Sequence, residues 1–234
     1  MKIDIITLFP QMLNSFFESS ILKRAINKNL VSINFINPRD FTNDKHHTTD
    51  DRPFGGGPGM IMKPEPLFLA VESVKIDKSF VIFLSPSGKP FKQEVAESLS
   101  ISHQHLIMIC GHYEGIDERV IQSIVDLELS IGDYVLTNGA LAAAVVSDAV
   151  IRLIPGVIGA GEEGIKNESF TSGILDFPQY TKPVKFRDME VPEVLLGGNH
   201  ELINKWRIKQ AIEKTIENRP DLISTNDKND EINT

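Results

Sequence analysis

The sequence predicts an α/β fold: a mostly parallel sheet with helices on both faces, followed by a small, mainly helical C-terminal domain. Three observations lead there. Strand-length apolar runs alternate with helical patterns over the first 150 or so residues. Several of those runs are apolar on both sides, as strands covered on two faces must be, instead of alternating apolar and polar. After Pro155 and Gly156 the texture changes to a glycine-rich, apolar-poor stretch, and one long helical pattern comes later.

The elements follow in order. KIDIITLF (2–9) reads as a strand, and Pro10 opens a helix with Leu13, Phe16, Phe17, Leu22 and Ile26 on one side. LVSINFI (30–36) is the next strand. PEPLFLAVESV reads as a helix, SFVIFLS (79–85) as a strand and KPFKQEVAESLS as a helix. HLIMIC (105–110) is a nearly all-apolar strand, followed by a helix near IDERVIQSIV and a short strand at LELSI. A helix at 139–153 closes the series. GVIGAGEEGIKNES carries four glycines and reads as a linker. Beyond it, HELINKWRIKQAIEKTIENR (200–219) is the clearest element, and STNDKNDEINT is a polar tail with no reason to fold. The expected boundaries are 1–158 for the catalytic domain, 159–172 for the linker, 173–223 for the small domain and 224–234 for the tail.

Composition excludes several classes. The chain is 41% hydrophobic and 24% charged, as ordinary globular proteins are. Its single cysteine rules out a disulfide framework and fits a reducing, cytoplasmic setting; Cys110, inside HLIMICG, reads as core. MKIDIITLFPQML has no basic region ahead of an apolar run, so we expect no secretion signal. GALAAAVVSDAVIRLI is too short to span a bilayer and carries Asp148 and Arg152, so no membrane association is expected. The net charge of −8 excludes a globally basic nucleic-acid binder. The acid is concentrated, however. Residues 1–63 carry eight basic and six acidic side chains, whereas 64–160 carry six and twelve. A local RNA site therefore remains open, for example Lys205, Arg207 and Lys209 around Trp206.

Ligands of open α/β sheets sit at the carboxyl ends of strands. Three loops there suit close backbone approach: LSPSG (84–88), CGHYEG (110–115) and SIGDYVLTNGA (130–140). The first strand runs into FPQML without a glycine, which disfavours a dinucleotide fold or the common methyltransferase fold. DDRPFGGGPGM (50–60) lacks the Gly-Lys-Ser/Thr ending of a triphosphate loop, and Met60 breaks a GxGxxG pattern. By spacing alone it is either a bend or a ligand loop. His46 and Asp50, four apart, leave a metal alternative.

Longer words carry more. LFP, NPRDF (37–41), DDRPFGGGPGM, CGHYEGIDERV (110–120), SIGDYVLTNG, IPGV (154–157), SFTSGILDFPQYTKP (169–183) and EVPEVLLGGNH (190–200) occur in this order. Together they closely resemble the bacterial tRNA (guanine-N(1)-)-methyltransferases, the TrmD family of the knotted SPOUT superfamily, over about residues 1–220. The resemblance implies a deep trefoil knot in the first domain and a homodimer whose active site draws on both chains. It also implies S-adenosylmethionine as methyl donor and the guanosine immediately 3′ of the tRNA anticodon as acceptor, a modification that supports reading-frame maintenance. On this resemblance Leu84, Ser85, Pro86, Gly111, Tyr113, Glu114, Gly115, Ile131, Gly132, Asp133, Tyr134, Val135, Leu136 and Gly139 bind the cofactor.

Guanine N(1) carries a proton, and removing it pushes negative charge onto the exocyclic oxygen. A base and a cation beside the ring are the minimum requirement. The resemblance assigns the cation to Arg152 and the base to Glu168. By themselves, Arg152 on an alanine-rich helix reads as a snorkelling or ion-paired side chain, and Glu168 as a solvated charge. Glu168 stands where the family usually has Asp, and NGALA (138–142) where it has Gly-Gly-Glu-Leu-Pro. His112 and Gln179 are milder departures, from arginine and histidine. The resemblance further implies a magnesium ion, with Asp176 and Glu114 as candidate ligands. Asp50, Arg52, Gly55, Gly56, Gly57, Pro58 and Gly59 become an RNA-facing surface, and Lys205, Trp206 and Arg207 a grip on the anticodon stem. The rivals are a knotted ribose 2′-O-methyltransferase, a non-catalytic tRNA-binding relative and, more remotely, a nucleotide hydrolase.

Overall fold

The structure is a computed structural model that describes residues 1–159 and 168–223. The chain divides into two compact units, Met1–Gly161 and Glu162–Thr234. The expected linker and tail lie largely outside the described residues.

The first unit is built on a five-stranded sheet. Its strands are β1 (Lys2–Ile6), β2 (Ser32–Ile36), β5 (Ser79–Pro90), β6 (His105–Cys110) and β7 (Leu127–Ser130), in the order β2-β1-β6-β5-β7. Every pairing in that sheet is parallel. Parallel strands need crossovers, which the helices supply. These are α1 (Gln11–Phe17), α2 (Ser20–Asn27), α3 (Pro64–Glu72), α4 (Gln93–Ser102) and α5 (Glu118–Ile124), with α6 (Ala140–Ile151) after the last strand.

Strand β6, at the centre, is buried throughout, and its side chains alternate between two cores. Leu106, Met108 and Cys110 join Ile3, Ile5, Ile82, Leu84 and Leu129 under α1, α2, α4 and α6. Ile107 and Ile109 join Ile6, Val81 and Phe83 under α3 and α5. Helix α6 buries Ala140, Ala142, Ala143, Ala144, Val146, Ser147, Val150 and Ile151. Its small side chains let it lie close to the sheet.

Three departures from the sequence reading have physical causes. The single helix expected after Pro10 is broken, with Ser19 extended and Ser20 at φ 48° between α1 and α2. Strand β5 runs past its expected end. It leaves β7 at Leu84, opposite Leu129, and Lys89 returns to the same Leu129. Gly88 makes the return possible, because a Cβ there would lie 2.6 Å from the carbonyl carbon of Glu128. Finally, β3 (Asp50–Asp51) and β4 (Ile61–Met62) form an antiparallel hairpin around the glycine run.

At the amino ends of the strands, Asp4 is fully buried and His105 nearly so. Asp4 is 2.7 Å from His105 Nε2, accepts from Asn34 Nδ2 at 2.8 Å and pairs with Lys2 Nζ at 2.7 Å. His105 Nδ1 meets Ser79 Oγ at 2.8 Å. This chain ties β1, β2, β5 and β6 into register at the end opposite the loops.

The second unit holds β8 (Lys185–Phe186) paired with β9 (Met189–Glu190), α7 (Glu193–Leu196) and the long α8 (His200–Asn218). Asn199 caps α8, its side chain accepting from the amides of Glu201 and Leu202. Thr215 on α8 accepts from the Leu175 amide at 3.0 Å, which fastens the turn at 168–177 to the helix.

Candidate functional site

Strands β6, β5 and β7 are neighbours, so the loops at their carboxyl ends converge. Between them lies a cavity of about 480 Å³, within the usual size range of small-molecule sites. Leu84, Ser85 and Pro86 line it from the first loop, and Gly111, Tyr113, Glu114 and Gly115 from the second. Ile131, Gly132, Tyr134, Val135, Leu136 and Gly139 line it from the third. Asp133 alone of the anticipated residues stays out of the wall. It is exposed, beyond the turn at Gly132 (φ 153°), while Tyr134 folds back so that its hydroxyl reaches the Ile131 carbonyl at 3.3 Å. Side chains that sequence reasoning missed include Glu118 and Ile121 from α5, Glu128 and Leu129 from β7, and Asn138. Glu118 lay inside a quoted word, CGHYEGIDERV; the helix-borne Ile121 had no such signal.

The loops are laced together by their backbones. Gly139 N donates to Gly111 O at 2.9 Å, Phe91 N to Ser130 O at 2.7 Å, and His112 bridges to Asn138. Asn138, part of the unusual NGALA word, accepts from the Ala140 amide at 2.9 Å in a local turn just ahead of α6, whose cap position is Gly139. The change from glycine thus supplies that turn with a side-chain acceptor. Cys110, at the end of β6, is buried in the sheet's core, and burial pushes its thiol up to about 12. A nucleophilic role is excluded.

The electrostatics of the wall restrict its ligands. Glu114, Glu118 and Glu128 contribute carboxylates, and among the described residues no lysine or arginine lines the cavity. Such a wall disfavours phosphates and suits a ligand that carries positive charge beside apolar surface.

The glycine hairpin rests on this cavity's second loop. Glu114 N donates to Met60 O, Met62 N to Gly115 O and Asp117 N to Met62 O, each at 3.0 Å. Gly55, Gly56, Gly57 and Gly59 all have positive φ. At the tip, Phe54 is fully exposed. Asp50 is half-buried at the hairpin base and Arg52 exposed beside it.

Arg152 caps the carboxyl end of α6, its amide donating to the Asp148 carbonyl at 3.1 Å. Twelve residues of α6 at about 1.5 Å each place it about 18 Å from the cavity end of that helix. Glu168 belongs to the second unit, where its carbonyl accepts from the Thr171 amide in the turn at 168–173.

On α8, Lys205 pairs with Glu201 at 2.7 Å, Trp206 is half-buried 6.3 Å from the Tyr180 ring, and the Arg207 guanidinium lies 4.8 Å over Phe177. Consecutive helical residues point about 100° apart, so these three do not form one patch. Asp176 spends its oxygens locally, accepting from the Phe177 amide at 2.8 Å and from Gln179 Nε2 at 3.3 Å. Among the described residues no three His, Cys, Asp or Glu side chains converge as metal ligands. None of Asp176, Glu114, His46 and Asp50 belongs to such a group. No helix of the described residues is long and apolar enough to cross a membrane.

A family model described as tRNA (Guanine-1)-methyltransferase TrmD matches residues 1–225. Curated relatives named tRNA (guanine-N(1)-)-methyltransferase are similar throughout. That of Dictyoglomus turgidum is 56% identical over 95% of this chain and 90% of its own. That of Carboxydothermus hydrogenoformans is 56% identical over 95% and 87%. That of Moorella thermoacetica is 52% identical over 96% and 90%.

Proposed function

Because the chain belongs to the tRNA (guanine-1)-methyltransferase family, we propose that it transfers a methyl group from S-adenosylmethionine to N(1) of the guanosine immediately 3′ of the tRNA anticodon. The observation that carries the donor assignment is the cavity itself. Three backbone-laced loops enclose it, and its described lining carries three glutamates and neither lysine nor arginine. The donor supplies an electrophilic methyl group on a cationic sulfur, so the protein's work is alignment and deprotonation. Glu168 takes the N(1) proton. Arg152 meets the charge that develops on the exocyclic oxygen.

In one chain, Arg152 stands a helix length from the cavity. This supports a homodimer in which Arg152 from one copy serves the cavity of the other. Met12 and Phe16 on α1, with Leu141 and Val145 on the adjoining α6, are exposed apolar side chains suited to that contact. The knotted path of the chain and a cytoplasmic location belong to the same reading. Asp50, Arg52 and the glycine hairpin face the RNA, and α8 meets the anticodon stem along one of the separate faces that carry Lys205, Trp206 and Arg207.

The test is methylation of a tRNA transcript with labelled donor, with the product nucleoside mapped by mass spectrometry. N(1)-methylguanosine, lost when the target guanosine is replaced by adenosine, is expected. A 2′-O-methyl product would replace this reading with the ribose methyltransferase.

A further inference from the structure

Gly56 and Gly59 lie in one loop with nearly the same backbone angle, φ 79° and 81°. Their surroundings differ completely. A Cβ on Gly56 would meet nothing within 4 Å, whereas one on Gly59 would land on the Glu114 side chain, 2.8 Å from its carboxyl carbon. Backbone bonds from Met60 and Met62 to the 114–117 segment hold the two loops together at that point. The neighbours of Gly59 are the outer half of a flexible side chain, so a methyl group there turns the carboxylate aside and leaves the backbone in place.

We infer that Gly59 is a positioning residue: its bare Cα keeps the Glu114 carboxylate in the cavity wall and makes the RNA-facing hairpin part of the coenzyme site. The glycine run thus has two functions. Residues 55–57 present bare backbone outward, and Gly59 presents it inward. This rests on the coenzyme reading of the cavity.

The test is a mutant cycle read by calorimetry with S-adenosylhomocysteine, the demethylated donor. Gly59→Ala is expected to weaken binding about tenfold and Gly56→Ala less than twofold, although both place alanine at positive φ. In a Glu114→Ala background, Gly59→Ala is expected to add less than twofold, since the group it displaces is gone. Equal losses at 56 and 59, or fully additive losses at 59 and 114, overturn the inference. If the unmodified protein binds no S-adenosylhomocysteine, the coenzyme reading fails instead. The positioning claim is then read without ligand from the carboxyl carbon resonance of Glu114 in labelled protein. That signal should move in Gly59→Ala and stay in Gly56→Ala; no movement in either overturns it.

Discussion

Gly88 lies against the backbone of Leu129, and that contact lets β5 leave its neighbour and rejoin it. The obstructing atoms are main chain, which cannot turn aside as a side chain can. Gly88→Ala should therefore cost about 3 kcal/mol, the upper end for overpacking, measured by urea denaturation. A loss under about 0.5 kcal/mol, the range of an ordinary surface change, would mean that the return is looser than described.

Glu168→Gln and Arg152→Ala should each lower single-turnover methyl transfer about 100-fold or more, with cofactor affinity and the melting temperature nearly unchanged. Both are assigned to proton removal and charge stabilisation at the guanine, so the loss should appear in the chemical step alone. Near-normal rates in both variants would remove them from their assigned roles.

The buried Asp4 accepts from Asn34, pairs with Lys2 and meets His105. Asp4→Ala leaves the partners unmatched at the foot of the sheet. It should destabilise the protein by about 3 kcal/mol, as loss of one member of a buried pair does. Because this cluster lies at the end opposite the cavity, cofactor affinity in the folded variant should match that of the parent.

Asp117 caps α5 and holds Arg119 with both oxygens at 2.8 Å. The hydrogen bond from Arg119 lowers its carboxyl below the ordinary 3.8. A group depressed on folding stabilises the native state above its unfolded value, and that contribution is lost as pH falls through the folded value. Asp117→Ala should thus cost about 1 kcal/mol at pH 7, and the difference from the parent should shrink as pH falls through and below the ordinary carboxylate range. A penalty that persisted at acid pH would point to packing instead of charge.

Cys110 provides a check on the core. With its thiol raised to about 12 by burial, it should resist iodoacetamide at pH 8 in native protein and react at once in guanidinium. Modification of the folded protein at the rate of a free thiol would show that the core around β6 opens.

Much of the first unit was legible because burial on two faces leaves an unmistakable pattern, as in HLIMIC, where all six positions are buried. The break at Ser20 was not. The apolar spacing from Leu13 to Ile26 continues through it, and nothing in that spacing marks an exposed serine at φ 48°. The extension of β5 was hidden by Pro86 and Gly88, which read as a turn. Gly88 in fact permits a backbone contact with residues 40 positions away, and no local pattern carries that. The three glycine-bearing loops did mark the cavity, since bare backbone is what a convergent wall needs. Ile121 and Leu129 come from the flanks of a helix and a strand, where a cavity wall and a core residue look alike. The roles proposed for Glu168 and Arg152 rest only on whole words shared with a family.

Leu129 faces both Leu84 and Lys89, so the segment 85–88 is a ring clasped at each end on one residue. A chain emerging from the ribosome cannot close that ring until β7 has been made and docked. The cavity is then among the last features to mature. Any small molecule caught there would tighten three adjoining strands at once, and its binding energy would raise the melting point of the entire first unit instead of merely quieting a loop.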